Sequence, residues 1–142
     1  MPARHPLIGT WRVAVTIPGA PAGLINLARL SADGGVAAAF PSPTPAAPGA
    51  AHTMEFWSPA LGSWSATDER GAALIFVSLG ADEHGAYIGT HTVSATISLD
   101  AGDATWSGSF QFAIAGPDGA ALGTVAGTIH ATRISAGAHE GA

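Results

Sequence analysis

The sequence predicts an all-β fold, an eight-stranded antiparallel up-and-down barrel formed by a single domain. Three observations support it. Apolar and polar residues alternate with a period of two along most of the chain. Turns rich in Asp and Gly separate the alternating segments, and these residues tolerate the positive φ angles of tight hairpins. The length of 142 residues fits one domain.

Eight segments have the pattern of strands. In chain order they are 8–17, 24–31, 36–40, 63–69, 72–79, 87–99, 104–115 and 122–134. Four prolines in 41–51 oppose ladder pairing, so 41–62 is predicted to be one long connection over the open end of the barrel. We expect the domain to span 1–134 and residues 135–142 to form a disordered tail.

The alternation also predicts which side chains face inward. The first segment places Trp11, Val13, Val15 and Ile17 on one face. In 87–99, 104–115 and 122–134 one face is apolar and the other is rich in hydroxyls, as a barrel wall requires. The facing of 24–31, 36–40 and 72–79 is ambiguous. A β-sandwich is the rival fold, but an unbroken run of hairpins favours a closed barrel without exposed edges.

Composition argues against several classes of protein. The net charge is −5 and the five arginines are scattered, which argues against a nucleic-acid partner. The chain has no cysteine and therefore no disulfide, thiolate metal site or cysteine nucleophile. No apolar run reaches the ~18 residues of a spanning helix. Residues 1–9 lack the apolar centre of a secretory signal, so we expect no membrane partner and a cytoplasmic location.

Two short motifs, GTW at 9–11 and TRI at 132–134, resemble the calycins, the superfamily of lipocalins, fatty-acid-binding proteins and avidins. The layout is also similar to small bacterial lipocalin-like proteins. In lipocalins such a tryptophan lies at the closed end of the barrel, and a basic residue of the last strand packs across it. The resemblance therefore implies a structural pair formed by Trp11 and Arg133. A count of eight strands agrees with this pair. In an antiparallel meander, the end of the last strand lies at the level of the start of the first strand only if the number of strands is even.

The open half of the predicted barrel is apolar and aromatic, which is typical of a small-molecule site. Strand directions counted from Trp11 place there Val15, Ile17, Asn26, Trp64, Phe76, His91, Phe112, Ile114 and Val125. Trp57 and Tyr87 are expected at the rim. The predicted ligand-binding residues are Asn26, Trp57, Trp64, Phe76, Tyr87, His91 and Phe112.

His91 is the first catalytic candidate, because it lies on an apolar face toward the open end. The alternative is a core histidine bonded to a hydroxyl. Residues 52–57 are rich in large side chains and are interpreted as a lid. Glu55 in this lid is the second catalytic candidate, because it could reach a ligand or His91. An edge strand or oligomer contact is the alternative. Asn26 bonds either a ligand or loop backbone, and Tyr87 is either a donor or a simple rim aromatic.

Three functions remain open. The first is binding of a small hydrophobic molecule in the barrel. The second is a cofactor-independent cyclase or isomerase that holds a polyketide- or terpenoid-like substrate in one reactive shape. The third is a packed structural or oligomeric module; a homo-oligomer is also compatible with the first two. No metal or cofactor is expected, because metal-ligand spacing, phosphate loops and dinucleotide motifs are absent from the sequence, and His91 lacks the surroundings of a haem ligand.

Overall fold

The computed structural model describes residues 4–20 and 23–136, which form ten strands. They are β1 (Gly9–Thr16), β2 (Leu24–Leu30), β3 (Gly35–Ala39), β4 (Thr44–Pro45), β5 (Met54–Trp57), β6 (Ala60–Ala66), β7 (Gly71–Ala81), β8 (Tyr87–Leu99), β9 (Thr105–Ala115) and β10 (Ala121–Ile134). Within these two ranges no helix is long and apolar enough to cross a membrane. The predicted disordered tail lies outside the described residues from position 137 onward.

Eight of these strands close into an antiparallel barrel. β1, β2, β3, β6, β7, β8, β9 and β10 each pair with the next in this order, and β10 pairs back onto β1. The predicted eight-stranded up-and-down barrel is therefore confirmed. The rival sandwich is wrong, because the ladder of backbone hydrogen bonds continues around the whole wall and leaves none of the eight strands at an open edge.

The segment predicted as one long connection contains two further strands at the open end. β4 pairs with β5, and β5 pairs with the last residues of β7, with Trp57 opposite Gly80. β5 and β6 follow one line along β7 that is broken at Ser58 and Pro59. The Ser58 hydroxyl oxygen accepts a hydrogen bond from the Leu79 N–H at 2.9 Å and so repairs the interrupted ladder. The predicted strand at 63–69 is thus shifted, because β6 already begins at Ala60.

The closed end of the barrel is a packed plug around Trp11. This side chain is fully buried, and its indole N–H donates to the Leu7 carbonyl at 3.0 Å. The guanidinium carbon of Arg133 lies 4.3 Å from the centroid of the Trp11 ring, within the range of a cation–π contact. The same guanidinium donates to three main-chain carbonyls, those of Pro6, Ile8 and Asp103. This is the arrangement that the calycin resemblance implies for Trp11 and Arg133.

The closed barrel also decides the facing of the strands that the sequence left ambiguous. On β7, Leu74, Phe76 and Ser78 are buried inside, whereas the alternate side chains face out. On β2, Asn26 faces the interior and Leu27 is 47% exposed on the outside. A polar residue therefore points inward and an apolar one outward, the reverse of the usual alternation.

Candidate functional site

The open half of the barrel encloses a cavity of about 510 Å³. This volume lies within the range of sites for small organic molecules. The wall is almost entirely apolar and includes several aromatic rings, those of Phe40, Trp57, Phe76, His91, Trp106, Phe110 and Phe112. Few polar side chains line the cavity. They are Asn26, Thr44, Glu55 and Ser78, together with His91 and Trp106, whose rings carry N–H groups. An apolar molecule would thus exchange water for apolar surface on nearly every side.

Most of the predicted site residues lie together at this cavity. Five of the seven ligand-binding candidates line it, namely Asn26, Trp57, Phe76, His91 and Phe112. Glu55, the second catalytic candidate, lines it as well. Of the other side chains predicted in the open half, Val15 and Ile17 line the cavity, whereas Ile114 and Val125 are not part of its lining.

Trp64 lies near the closed end and does not line the cavity. Its indole N–H donates to the Ser31 carbonyl at 2.8 Å, and its ring packs against His5 with centroids 5.5 Å apart. The structure corrects the predicted position because β6 begins three residues earlier than the expected strand. The early start moves Trp64 further down the wall.

Tyr87 lies on the outer face of the rim. Its side chain is 46% exposed, and its hydroxyl bonds the Thr90 hydroxyl outside the barrel. The cause is a bulge between β7 and β8, where Gly80 pairs with Gly89 but Ala81 pairs with Tyr87. The extra residue reverses the alternation, so a position expected to face inward faces out. Tyr87 is therefore not part of the cavity lining.

Glu55 is held at the cavity mouth by two neighbours on its own segment. Its carboxylate accepts hydrogen bonds from His52 Nε2 at 2.9 Å and from the Trp57 indole N–H at 3.0 Å. Partial burial alone would raise the pKa of Glu55, but these two hydrogen bonds and the neighbouring imidazoles outweigh it and lower the pKa. Residues 54–57 form a strand that pairs with β4 on one side and with β7 on the other, and Glu55 and Trp57 of this strand line the cavity.

His91 is packed between aromatic rings. It stacks on Trp57 with centroids 3.3 Å apart and planes 18° apart, and its centroid lies 4.4 Å from that of Phe112. Burial lowers the pKa of His91 to about 4, and the nearby Glu55 carboxylate opposes that shift only in part. The imidazole is therefore neutral near pH 7 and offers one donor and one acceptor nitrogen.

Two buried polar atoms of the lining have no hydrogen-bond partner in the described part of the chain. They are the side-chain oxygen Oδ1 of Asn26 and the indole nitrogen Nε1 of Trp106. Buried polar groups are nearly always paired, and an unpaired one costs ~1–3 kcal/mol. Both residues line the cavity, but the two atoms themselves have almost no accessible surface and are buried within the wall.

Sequence reasoning missed two polar members of this lining. Trp106 lies on the apolar face of 104–115, but its N–H was not counted as part of the site. Ser78 is 3% exposed, and its hydroxyl donates to the Ser58 carbonyl at 2.5 Å. A serine between apolar residues on the even-numbered face of β7 was the signal that could have found it.

Within residues 4–20 and 23–136, no three His, Asp or Glu side chains lie close enough together to hold a metal ion. Fold and site together define a closed eight-stranded β-barrel with an apolar cavity under an aromatic rim. No protein family, curated protein or solved structure matches the chain significantly.

Proposed function

We propose that the protein binds a small, largely apolar molecule inside the barrel. The observation that carries this function is the cavity of about 510 Å³, whose wall is apolar except for a few polar groups. Ligand binding and catalysis both require such a space, whereas a purely structural module would have a barrel filled by its own side chains. The contact of Arg133 with Trp11 at 4.3 Å further supports our proposal that the chain is a calycin.

Binding can be tested with phenylnaphthylamine, a neutral apolar dye whose fluorescence rises in apolar surroundings. We expect saturable binding with one dye per chain. Ala28 lines the cavity on β2, so Ala28→Phe should fill part of it and weaken binding by at least about tenfold. Ala37 is exposed on the outer face of the neighbouring β3, so Ala37→Phe is the matched control and should bind as the parent does.

Two results would refute the binding function. One is the absence of saturable dye binding together with a native mass that shows no co-purified small molecule. The other is equal dye affinity of the Ala28→Phe and Ala37→Phe variants, since binding would then occur outside the barrel.

A cofactor-independent cyclase or isomerase is the second candidate, favoured by one specific observation. A neutral imidazole, His91, and a carboxylate, Glu55, line the same apolar cavity, and such a pair can remove a proton and return it at another atom. His91→Gln separates the two functions. Loss of turnover with unchanged affinity would support catalysis, whereas a change in affinity alone would support binding.

A further inference from the structure

The described lining of the cavity carries one negative charge and no permanent positive charge. Its carboxylate is that of Glu55. The chain has no lysine, and its five arginines all lie in the described ranges but outside this lining. We infer that the molecule bound in the barrel is an apolar amine, whose ammonium group pairs with Glu55 while its apolar part fills the cavity. This inference rests on the proposed binding function and names the chemical class of its ligand.

The carboxylate of Glu55 has acceptor positions to spare. His52 Nε2 lies 2.9 Å from Oε2, and the Trp57 indole N–H donates to Oε1 at 3.0 Å. A carboxylate accepts at about four positions, so each of its oxygens can take a further hydrogen bond. The side chain is 23% exposed, so an ammonium group at the cavity mouth has access to it.

The neighbours of Glu55 leave its charge without a permanent counter-ion. An indole is neutral, and His52 is charged only when it is protonated. Partial burial raises the pKa of Glu55, but its hydrogen bonds and the neighbouring imidazoles outweigh this and lower the pKa, so the carboxylate is ionised near neutral pH. An ionised group in an apolar wall is stabilised most by a partner that brings the opposite charge and hydrogen-bond donors.

The aromatic rings beside Glu55 also favour a cation. The indole that donates to Glu55 stacks on His91, and the ring of His91 lies against Phe112. The faces of aromatic rings attract positive charge, and the neutral imidazole adds one acceptor nitrogen at the same mouth. An ammonium group near Glu55 therefore meets acceptors and aromatic rings, and an anion would meet the same groups without gaining a donor of opposite charge.

The charges of the whole barrel have the same asymmetry. The turns of the described chain at the open end contain Asp82, Glu83 and Asp118 and no arginine. A negatively charged mouth attracts cations and repels anions before they enter the cavity. All the arginines belong to the closed half, namely Arg4 before β1, Arg12 on β1, Arg29 on β2, Arg70 in the turn between β6 and β7, and Arg133 near the end of β10.

Three probes of one ring system test the inference. They are naphthylmethylamine, naphthoate and methylnaphthalene, which carry a positive charge, a negative charge and no charge. Their affinities for the full chain near neutral pH are measured by displacement of phenylnaphthylamine. We expect naphthylmethylamine to bind at least about tenfold more tightly than naphthoate, because the two ions differ chiefly in the sign of the charge that they bring to Glu55.

Two variants assign the preference to Glu55. Glu55→Gln removes the charge and keeps an oxygen that can accept from the Trp57 indole N–H. It should abolish most of the preference for naphthylmethylamine over naphthoate, while methylnaphthalene still binds. Asp118→Asn is the matched control, because it removes one charge at the same end of the barrel, outside the cavity lining, and keeps the oxygen that accepts from the Ala120 N–H. This control should retain the preference.

The outcomes separate the two proposals. If naphthylmethylamine and naphthoate bind the parent with equal affinity, or if the preference survives Glu55→Gln, the inference is overturned, while the binding function stands on methylnaphthalene and the dye. The comparison of the two ions on the parent decides even if Glu55→Gln does not fold. If none of the probes nor the dye binds, the binding function itself fails, and the inference fails with it.

Discussion

The indole of Trp57 stacks on the imidazole of His91 across an intervening strand. Trp57 belongs to β5 and His91 to β8, and β7 lies between them with Gly80 opposite Trp57. Because Gly80 has no side chain, the indole crosses it and reaches His91, with the ring centroids 3.3 Å apart. This stack closes part of the cavity mouth, and the absence of a side chain at one position makes it possible.

Gly80→Ala should therefore disturb the mouth. A Cβ at this position would lie 2.6 Å from Trp57 Cη2, so the indole must move away from His91. We expect a loss of near-ultraviolet circular dichroism from Trp57 and several-fold weaker binding of phenylnaphthylamine. In a Trp57→Leu background the same substitution should have little further effect on dye binding. Equal effects in both backgrounds would show that Gly80 acts independently of the stack.

His91 should make the stability of the protein depend on pH. Its pKa is lowered by burial from 6.5 to about 4, so between these values the unfolded chain binds a proton that the folded chain does not. The free energy of unfolding should therefore fall as the pH decreases from 6.5 to 4. We expect a loss of about 1–2 kcal/mol, less than the full shift implies because the imidazole is only partly buried.

Urea unfolding of the parent and of His91→Gln at several pH values measures this contribution. Because glutamine does not titrate, the variant should lack the part of the pH dependence due to His91 and to its coupling with Glu55, while the other carboxylates contribute equally to both proteins. Parallel stability curves for parent and variant over this range would contradict the assignment.

Arg133 should make a large contribution to the stability of the closed end of the barrel. Arg133→Ala removes the contact with Trp11 and leaves three main-chain carbonyls without their donor, so it should lower the free energy of unfolding by about 3 kcal/mol. Arg12→Ala is the matched control, since Arg12 is exposed on the outer face of β1, and its effect should stay within about 0.5 kcal/mol. Similar unfolding midpoints for the two variants would refute the role of Arg133.

Glu83 ties the β4–β5 segment to the turn between β7 and β8. Its carboxylate accepts from the backbone N–H groups of Thr53 and Met54 at 3.0 and 3.1 Å. These bonds and one from its own backbone N–H lower the pKa of Glu83 to about 2. Because the folded pKa is below the ordinary value of 4.5, the contribution of this carboxylate is present above pH 4.5 and is lost as the pH falls toward 2.

Glu83→Ala should release the mouth segment without unfolding the barrel. Hydrogen exchange at the Thr53 and Met54 amides should accelerate by at least about tenfold, while exchange in β9 and β10 stays unchanged. Glu69→Gln, in the exposed turn between β6 and β7, serves as the control. Unchanged exchange at both amides would show that other contacts hold the segment.

The sequence was most informative where a regular alternation runs along a long strand. On β1, β8 and β9 the positions of Trp11, His91, Phe112 and their neighbours follow directly from it. The failures occurred where backbone geometry interrupts the alternation. Trp64 was misplaced because the break at Ser58 and Pro59 hid the true start of β6, and Tyr87 because a bulge beside Gly89 reverses the faces.

The sequence by itself determined the class of fold and the number of barrel strands, because these depend on periodicity. The closure by Trp11 and Arg133 was implied by the resemblance of two local motifs to the calycins. Only the tertiary structure decided which polar groups meet inside the barrel. The strands that carry Asn26, Glu55, His91 and Trp106 are distant in sequence, and their register depends on a closed ladder with one interruption and one bulge. A shift of one residue turns a side chain from the cavity to the solvent, so the chemistry of the site depends on pairing that no local pattern specifies.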